Sequence, residues 1–213
     1  MQINFTYDKD KDIWCLLNKG KSSNNSQNST KQYDLLVQKY GENPTEELAA
    51  VFVDEYVAEN KINISEYIKV FQNNWENISV EFQKRAEKIF GVKLPNDVTV
   101  YLTINSRCPY SIQDNFFYVS LQSYQATRTA MHELWHFYTW YGLGIDQEEK
   151  IGKQYYNDLK EALTVLLNIE CKDLLPKDAI DTGYPQHQEI RQRILKYWEN
   201  DKSIKNLWSH LVG

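Results

Sequence analysis

Cysteine is scarce in this sequence, and long hydrophobic runs are missing. The three cysteines, Cys15, Cys108 and Cys171, are odd in number and far apart, which argues against a disulfide framework and a Cys-x-x-Cys metal site. No apolar run reaches the roughly 18 residues of a membrane-spanning helix, and the first residues lack a basic flank followed by an apolar stretch. We therefore expect a cytoplasmic protein without a membrane partner.

Positive charge is also in short supply. The chain has 24 lysine and arginine residues against 29 aspartate and glutamate residues, a formal net charge of -5. Because nucleic-acid-binding proteins usually carry a basic surface, DNA and RNA are not expected as partners. Hydrophobic residues, by contrast, make up 42% of the 213 residues, which is enough for the core of one large domain or of two small ones.

Residue patterns in the first part of the chain predict a boundary near residue 60. Residues 2–18 are predicted to form two short strands around a polar turn at 8–11. Residues 19–31 contain no apolar side chain to bury and are predicted to be a mobile loop. We interpret residues 1–60, with the helices that follow this loop, as a possible accessory region and residues 61–213 as the functional domain.

The periodicity then alternates between helical and extended patterns. Separate helices are predicted around 65–71 and 78–89, followed by a strand over 98–104 and a second strand over 116–121. The polar stretch between the two strands is predicted to be a loop or a hairpin connection. Further helices are predicted over 123–142, 155–169, 190–198 and 204–211, so the pattern predicts an α+β fold that is mainly helical.

Two of the four histidines stand in one short motif, His132-Glu133-Leu134-Trp135-His136. Residues four apart lie on the same face of a helix, so His132 and His136 can hold one metal ion, with Glu133 beside a metal-bound water. The alternative is a pair of core histidines that bond to backbone carbonyls. Burying two imidazoles and a carboxylate on an apolar helix without a metal would be costly, and we therefore favour the metal site.

This motif, preceded by two predicted strands and followed by a glycine-ended turn, resembles the zincin superfamily of zinc metallopeptidases. The resemblance covers roughly residues 75–170 in the order of elements. It implies a zincin-like domain, mainly helical, with a small mixed or antiparallel sheet next to the motif helix. It also implies a bound Zn²⁺ and a peptide or protein substrate.

The resemblance to one zincin group, the metzincins, fails at two positions. Metzincins have a glycine and a third histidine at fixed offsets after the motif, where this chain has Thr139 and Gly142. Neither side chain supplies an imidazole, so this group is excluded.

The resemblance to a second group, the gluzincins, implies a glutamate ligand from the next helix. Glu161 stands 25 positions after His136 and is the first candidate. Its alternative role is a solvated helix position. Asp158 is the second candidate ligand, and Glu148 and Glu149 come third.

The same resemblance implies the catalytic roles. Glu133 would act as the general base that takes a proton from the attacking water. A tyrosine or histidine after the third ligand would stabilise the oxyanion, and Tyr184 and His187 are the candidates, with Arg191 close by in the sequence. Zincins pair a peptide with an edge strand, and the predicted strand 116–121 is expected to have that position.

Two other functions share the same residues. The chain could be a binding or regulatory module on a zincin scaffold, with a structural zinc and a partner surface in the first 60 or so residues. It could also hydrolyse another amide or an ester. The intact Glu133 favours an enzyme, because a site that only holds a metal needs no carboxylate beside the water.

Overall fold

The structure is a computed structural model that describes residues 1–21 and 28–213. Residues 22–27 belong to the predicted mobile loop and lie outside the described residues. The chain divides into two compact units, the first made of residues 1–74 and 96–126 and the second of 75–95 and 127–213. The predicted accessory region, 1–60, belongs to the first unit, and its separate role stays a prediction.

Helices dominate the described residues. The helices are α1 Lys9–Lys19, α2 Lys31–Tyr40, α3 Glu46–Glu59, α4 Ile64–Phe90, α5 Ala126–Leu143, α6 Gln147–Ile151, α7 Lys153–Leu163, α8 Leu167–Glu170, α9 Gln188–Trp198 and α10 Ile204–Val212. Two 3₁₀ turns, Thr164–Leu166 and Pro185–His187, precede α8 and α9. Within the described ranges, every helix is too short or too polar to cross a membrane.

The strands form one small mixed sheet in the first unit. They are β1 Ile3–Thr6, β2 Val98–Thr103, β3 Tyr110–Ser111 and β4 Phe116–Ser120, in the spatial order β1-β2-β4-β3. The pairs β1–β2 and β2–β4 are parallel, whereas β3 and β4 are antiparallel. The prediction of an α+β fold with a small mixed sheet is confirmed.

The expectation that residues 116–121 form an edge strand is wrong. The strand β4 lies between β2 and β3, so its backbone groups pair on both sides at Phe116 and Phe117. The sheet edges are β1 and β3. A peptide therefore cannot pair with the whole length of β4.

The prediction of a hairpin over residues 2–18 is also wrong. Only Ile3–Thr6 is a strand, and the polar residues that follow it begin the helix α1. The Asp8 side chain caps this helix, because its carboxylate accepts hydrogen bonds from the backbone N–H groups of Asp10 and Lys11. The residues predicted as a polar turn, 8–11, are thus the N-cap and the first turn of α1.

One helix replaces the two predicted around 65–71 and 78–89. The helix α4 runs without interruption from Ile64 to Phe90. Trp75, in the polar stretch between the two predicted segments, is 2% exposed and contacts the Phe82 ring edge-on at 5.6 Å between centroids. Because this buried ring continues the apolar stripe, the helix continues through the polar residues around it.

The motif helix α5 belongs to the interior of the second unit, as its apolar pattern predicts. Trp135 and Tyr138 are fully buried and pack against the rings of Phe82 and Phe90 on α4. Gly142 allows this approach, because a Cβ atom there would lie 2.8 Å from the Phe90 Cβ. The aromatic contacts fix the face of α5 that carries Trp135 and Tyr138, and with it the rotation of the motif helix.

Candidate metal centre

Three side chains of the second unit converge on one point. His132 and His136 lie one turn apart on α5, with 3.1 Å between their Nε2 atoms. From α7, Glu161 places Oε2 at 3.5 Å from His132 Nε2 and Oε1 at 3.3 Å from His136 Nε2. All three ligand atoms lie within 4.8 Å of one another.

These separations are compatible with a metal ion shared by the three side chains. Zinc bonds to nitrogen and oxygen are about 2.0–2.1 Å long, so two ligand atoms of a tetrahedral site lie about 3.3 Å apart. The three separations, 3.1, 3.3 and 3.5 Å, bracket that value. The two imidazoles also direct ring nitrogens at each other, an arrangement that a shared cation stabilises.

The packing of α7 against α5 brings Glu161 to the histidines. The apolar residues Leu159, Ala162 and Leu163 of α7 are completely buried. The indole Nε1 of Trp135 donates a hydrogen bond of 3.1 Å to the Leu163 carbonyl, which ties the end of α7 to the motif helix. Glu161 therefore sits on a helix whose rotation is fixed by its buried face.

Asp181 orients one of the metal-ligating candidates and was not found from the sequence. The His132 Nδ1 atom lies 2.6 Å from Asp181 Oδ2, a contact that orients the ring with Nε2 directed at the cluster. The Asp181 carboxylate also accepts from Thr164 Oγ1 at 2.8 Å and from Arg191 Nη1 at 3.2 Å. The Asn168 side chain pairs with the Asp181 backbone N–H and carbonyl. Asp181 is thus held rigidly in a loop without a recognisable motif.

The electrostatics of the cluster favour positive charge at its centre. Burial alone would lower the pKa of His132, but hydrogen bonds with Asp181 and Glu161 outweigh it and raise this pKa to about 10. Burial raises the pKa of Glu161, yet its hydrogen bonds with the two histidines hold it well below the usual range. The Glu161 carboxylate therefore stays ionised and attracts a cation, whether a proton or a metal ion.

Glu133 has the environment of a proton acceptor. It is 8% exposed, and its Oε2 atom has no hydrogen-bond partner among the described residues. Burial raises the pKa of Glu133 to about 7, although the charges of His132 and Lys160 oppose this shift. A carboxylate with a pKa near neutrality exchanges protons readily at physiological pH.

His136 differs from His132 in its protonation state. Burial, which outweighs its hydrogen bond to Glu161, lowers the pKa of His136 to about 4. This imidazole is therefore neutral at physiological pH, the form in which it binds a metal ion.

The alternative third ligands are not part of the cluster. In the described ranges, Glu161 joins the two histidines, and Asp158, Glu148 and Glu149 do not. Asp158 lies one turn before Glu161 on α7, and its Oδ1 atom is 3.0 Å from His187 Nε2. Glu148 and Glu149 occupy the first turn of α6.

The two predicted oxyanion donors lie side by side just before α9, at the two ends of the 3₁₀ turn. His187 is 5% exposed and pairs with Asp158, whereas Tyr184 is 51% exposed. Their rings meet edge to face with 5.7 Å between centroids. Arg191 is 3% exposed and contacts Asp181. The catalytic roles of Tyr184 and His187 stay predictions.

Comparisons with known proteins add no relative: the chain matches no protein-family model, no curated protein and no solved structure.

Proposed function

We propose that this chain is a zinc-dependent metallopeptidase of the zincin type, with a glutamate as the third ligand. One observation carries the proposal: His132, His136 and Glu161 converge with metal-like separations, and the buried carboxylate of Glu133 follows the first ligand in the chain. Three protein ligands leave a fourth tetrahedral position for water or substrate, as catalytic zinc sites require. The alternative of a purely structural zinc would need a fourth protein ligand.

In this proposal the residues divide the chemistry among them. A zinc ion bound by His132, His136 and Glu161 would supply a Lewis acid that polarises the substrate carbonyl and acidifies a water molecule. Glu133 accepts the proton of that water as its oxygen attacks the carbonyl carbon, and then delivers the proton to the leaving amine. Asp181 keeps His132 in the tautomer that binds a metal.

His187 is our candidate donor to the negative oxygen of the tetrahedral step. His187 Nε2 lies 3.0 Å from Asp158 Oδ1, and this contact orients the ring. Tyr184, half exposed beside this ring, is the second candidate. A donor at this place would act as an oxyanion hole does in other acyl-transfer enzymes.

The reaction class is tested by hydrolysis of defined substrates. Purified protein with equimolar zinc should cleave members of a peptide library, and a chelator such as 1,10-phenanthroline should stop the cleavage until zinc is restored. Cleavage of esters or non-peptide amides alone would assign another hydrolase activity to the same site. Zinc binding without hydrolysis of any of these substrates would favour a binding module.

The role of Asp181 gives a prediction with a matched control on the same loop. Asp181→Asn removes the charge that holds His132, so zinc affinity should fall roughly 10- to 100-fold. Asp178→Asn, at an exposed position with φ of 60° that asparagine tolerates, should leave affinity unchanged. Competition with a chromophoric zinc chelator measures both. Equal affinities for the two variants would refute the orienting role of Asp181.

A further inference from the structure

A buried lysine accompanies the glutamate of the candidate metal centre. Lys160 is 5% exposed, and its Nζ atom lies 3.5 Å from Glu161 Oε1. The ammonium also donates a hydrogen bond of 3.3 Å to Asn157 Oδ1 on the same helix. Lysine is rarely this buried unless a carboxylate compensates its charge, so the position needs an explanation.

The buried cations of the site are matched to two of its three carboxylates. Lys160 lies against Glu161, and Arg191 lies against Asp181 at 3.2 Å. Glu133 differs, because its Oε2 atom is without a hydrogen-bond partner in the described part of the chain. The two carboxylates that contact the motif histidines therefore each have a buried cation beside them, and the charge of Lys160 also acts on Glu133.

This pairing sets the charge that a bound dication experiences. A ligand set of two neutral imidazoles and one carboxylate carries one negative charge, which weakens the pull of the metal on the substrate oxygen. The ammonium of Lys160 offsets that charge, so the ligand set behaves electrostatically like three neutral ligands. The same offset makes the site less attractive to the cation, so it lowers metal affinity.

We propose that Lys160 is a positioning residue that acts through Glu161. Its positive charge lowers the affinity of the site for zinc and makes a bound zinc ion a stronger electrophile. This inference rests on the proposed zinc-dependent hydrolysis. This role and a packing role predict opposite changes in zinc affinity. Loss of a packing residue weakens both metal binding and turnover, whereas loss of this charge strengthens metal binding and weakens turnover.

The test compares neutral and charged replacements at one position. Lys160→Met keeps the length of the side chain and removes its charge, and Lys160→Gln is a second neutral variant in case the first does not fold. Each should bind Zn²⁺ roughly 10- to 100-fold more tightly and lose a similar factor in kcat, with KM within a few-fold. Lys160→Arg should restore both properties toward those of the wild type. Lys153→Met, at an exposed lysine of the same helix, is the control and should change neither.

Zinc affinity is measured by chelator competition with zinc alone, and turnover with a cleaved library peptide. Circular dichroism shows which variants are folded. Folded neutral variants with unchanged or weaker zinc affinity would overturn the role of Lys160 and leave the zinc-dependent function intact. A wild-type protein that fails to bind zinc would overturn both.

Discussion

Replacing Glu133 by glutamine should reduce peptide hydrolysis by roughly 10²- to 10⁴-fold while the bound zinc remains. The amide has nearly the shape of the carboxylate but cannot accept the proton of the attacking water. Since Glu133 is not among the three converging ligands, the variant should contain as much zinc as the wild type. Turnover of a library-derived peptide and elemental analysis of the same preparation measure the two quantities.

Glu149→Gln is the matched control for this experiment. Glu149 is exposed in the first turn of α6 and outside the ligand cluster, so its loss should leave hydrolysis within a few-fold of the wild type. Substantial hydrolysis by the Glu133→Gln protein would remove the proposed base from the mechanism. Loss of zinc along with activity would instead make Glu133 a ligand.

Replacing His136 by alanine should lower zinc affinity by at least about 100-fold, because changes outside the ligand shell already cost 10- to 100-fold. His136 is 1% exposed and contributes one of the three ligand atoms. Zinc content after dialysis against a weak chelator is the measurement. Because the cavity left by the imidazole also costs stability, a melting curve should confirm that the variant is folded.

The histidine on α10 supplies the control for the ligand experiment. His210 is exposed and stacks on Tyr197, so His210→Ala should keep the full zinc content. If both alanine variants retained zinc equally, the motif histidines would not be the site. If both lost it, the loss from His136→Ala would not be specific to the cluster.

The motif helix and the strand that precedes it in the sequence could be predicted because their signals are local. The nearly continuous apolar pattern of residues 123–142 predicts a buried helix, and the alternation over 98–104 predicts a strand. The structure has α5 and β2 at these places. Glu161 could be ranked first only through the resemblance to gluzincins, because helical periodicity does not separate it from Asp158.

The errors lie where the deciding contact is distant in sequence. The strand β1 pairs with β2, with Ile3 opposite Val98, and no pattern near residue 3 indicates this pairing. The interruption predicted in α4 was wrong because Trp75 is buried among polar neighbours. For the same reason Asp181 could not be foreseen, since its partner His132 lies on the motif helix α5, 49 residues earlier in the chain.

Anomalous diffraction at the zinc edge, from crystals of the wild-type protein grown with zinc, tests the central claim most directly. We expect one strong peak bonded to the Nε2 atoms of His132 and His136 and to the Glu161 carboxylate, with one coordination position open beside Glu133. A map without a peak between these side chains, with the two imidazoles turned apart, would contradict the proposed metal centre and the hydrolytic function built on it.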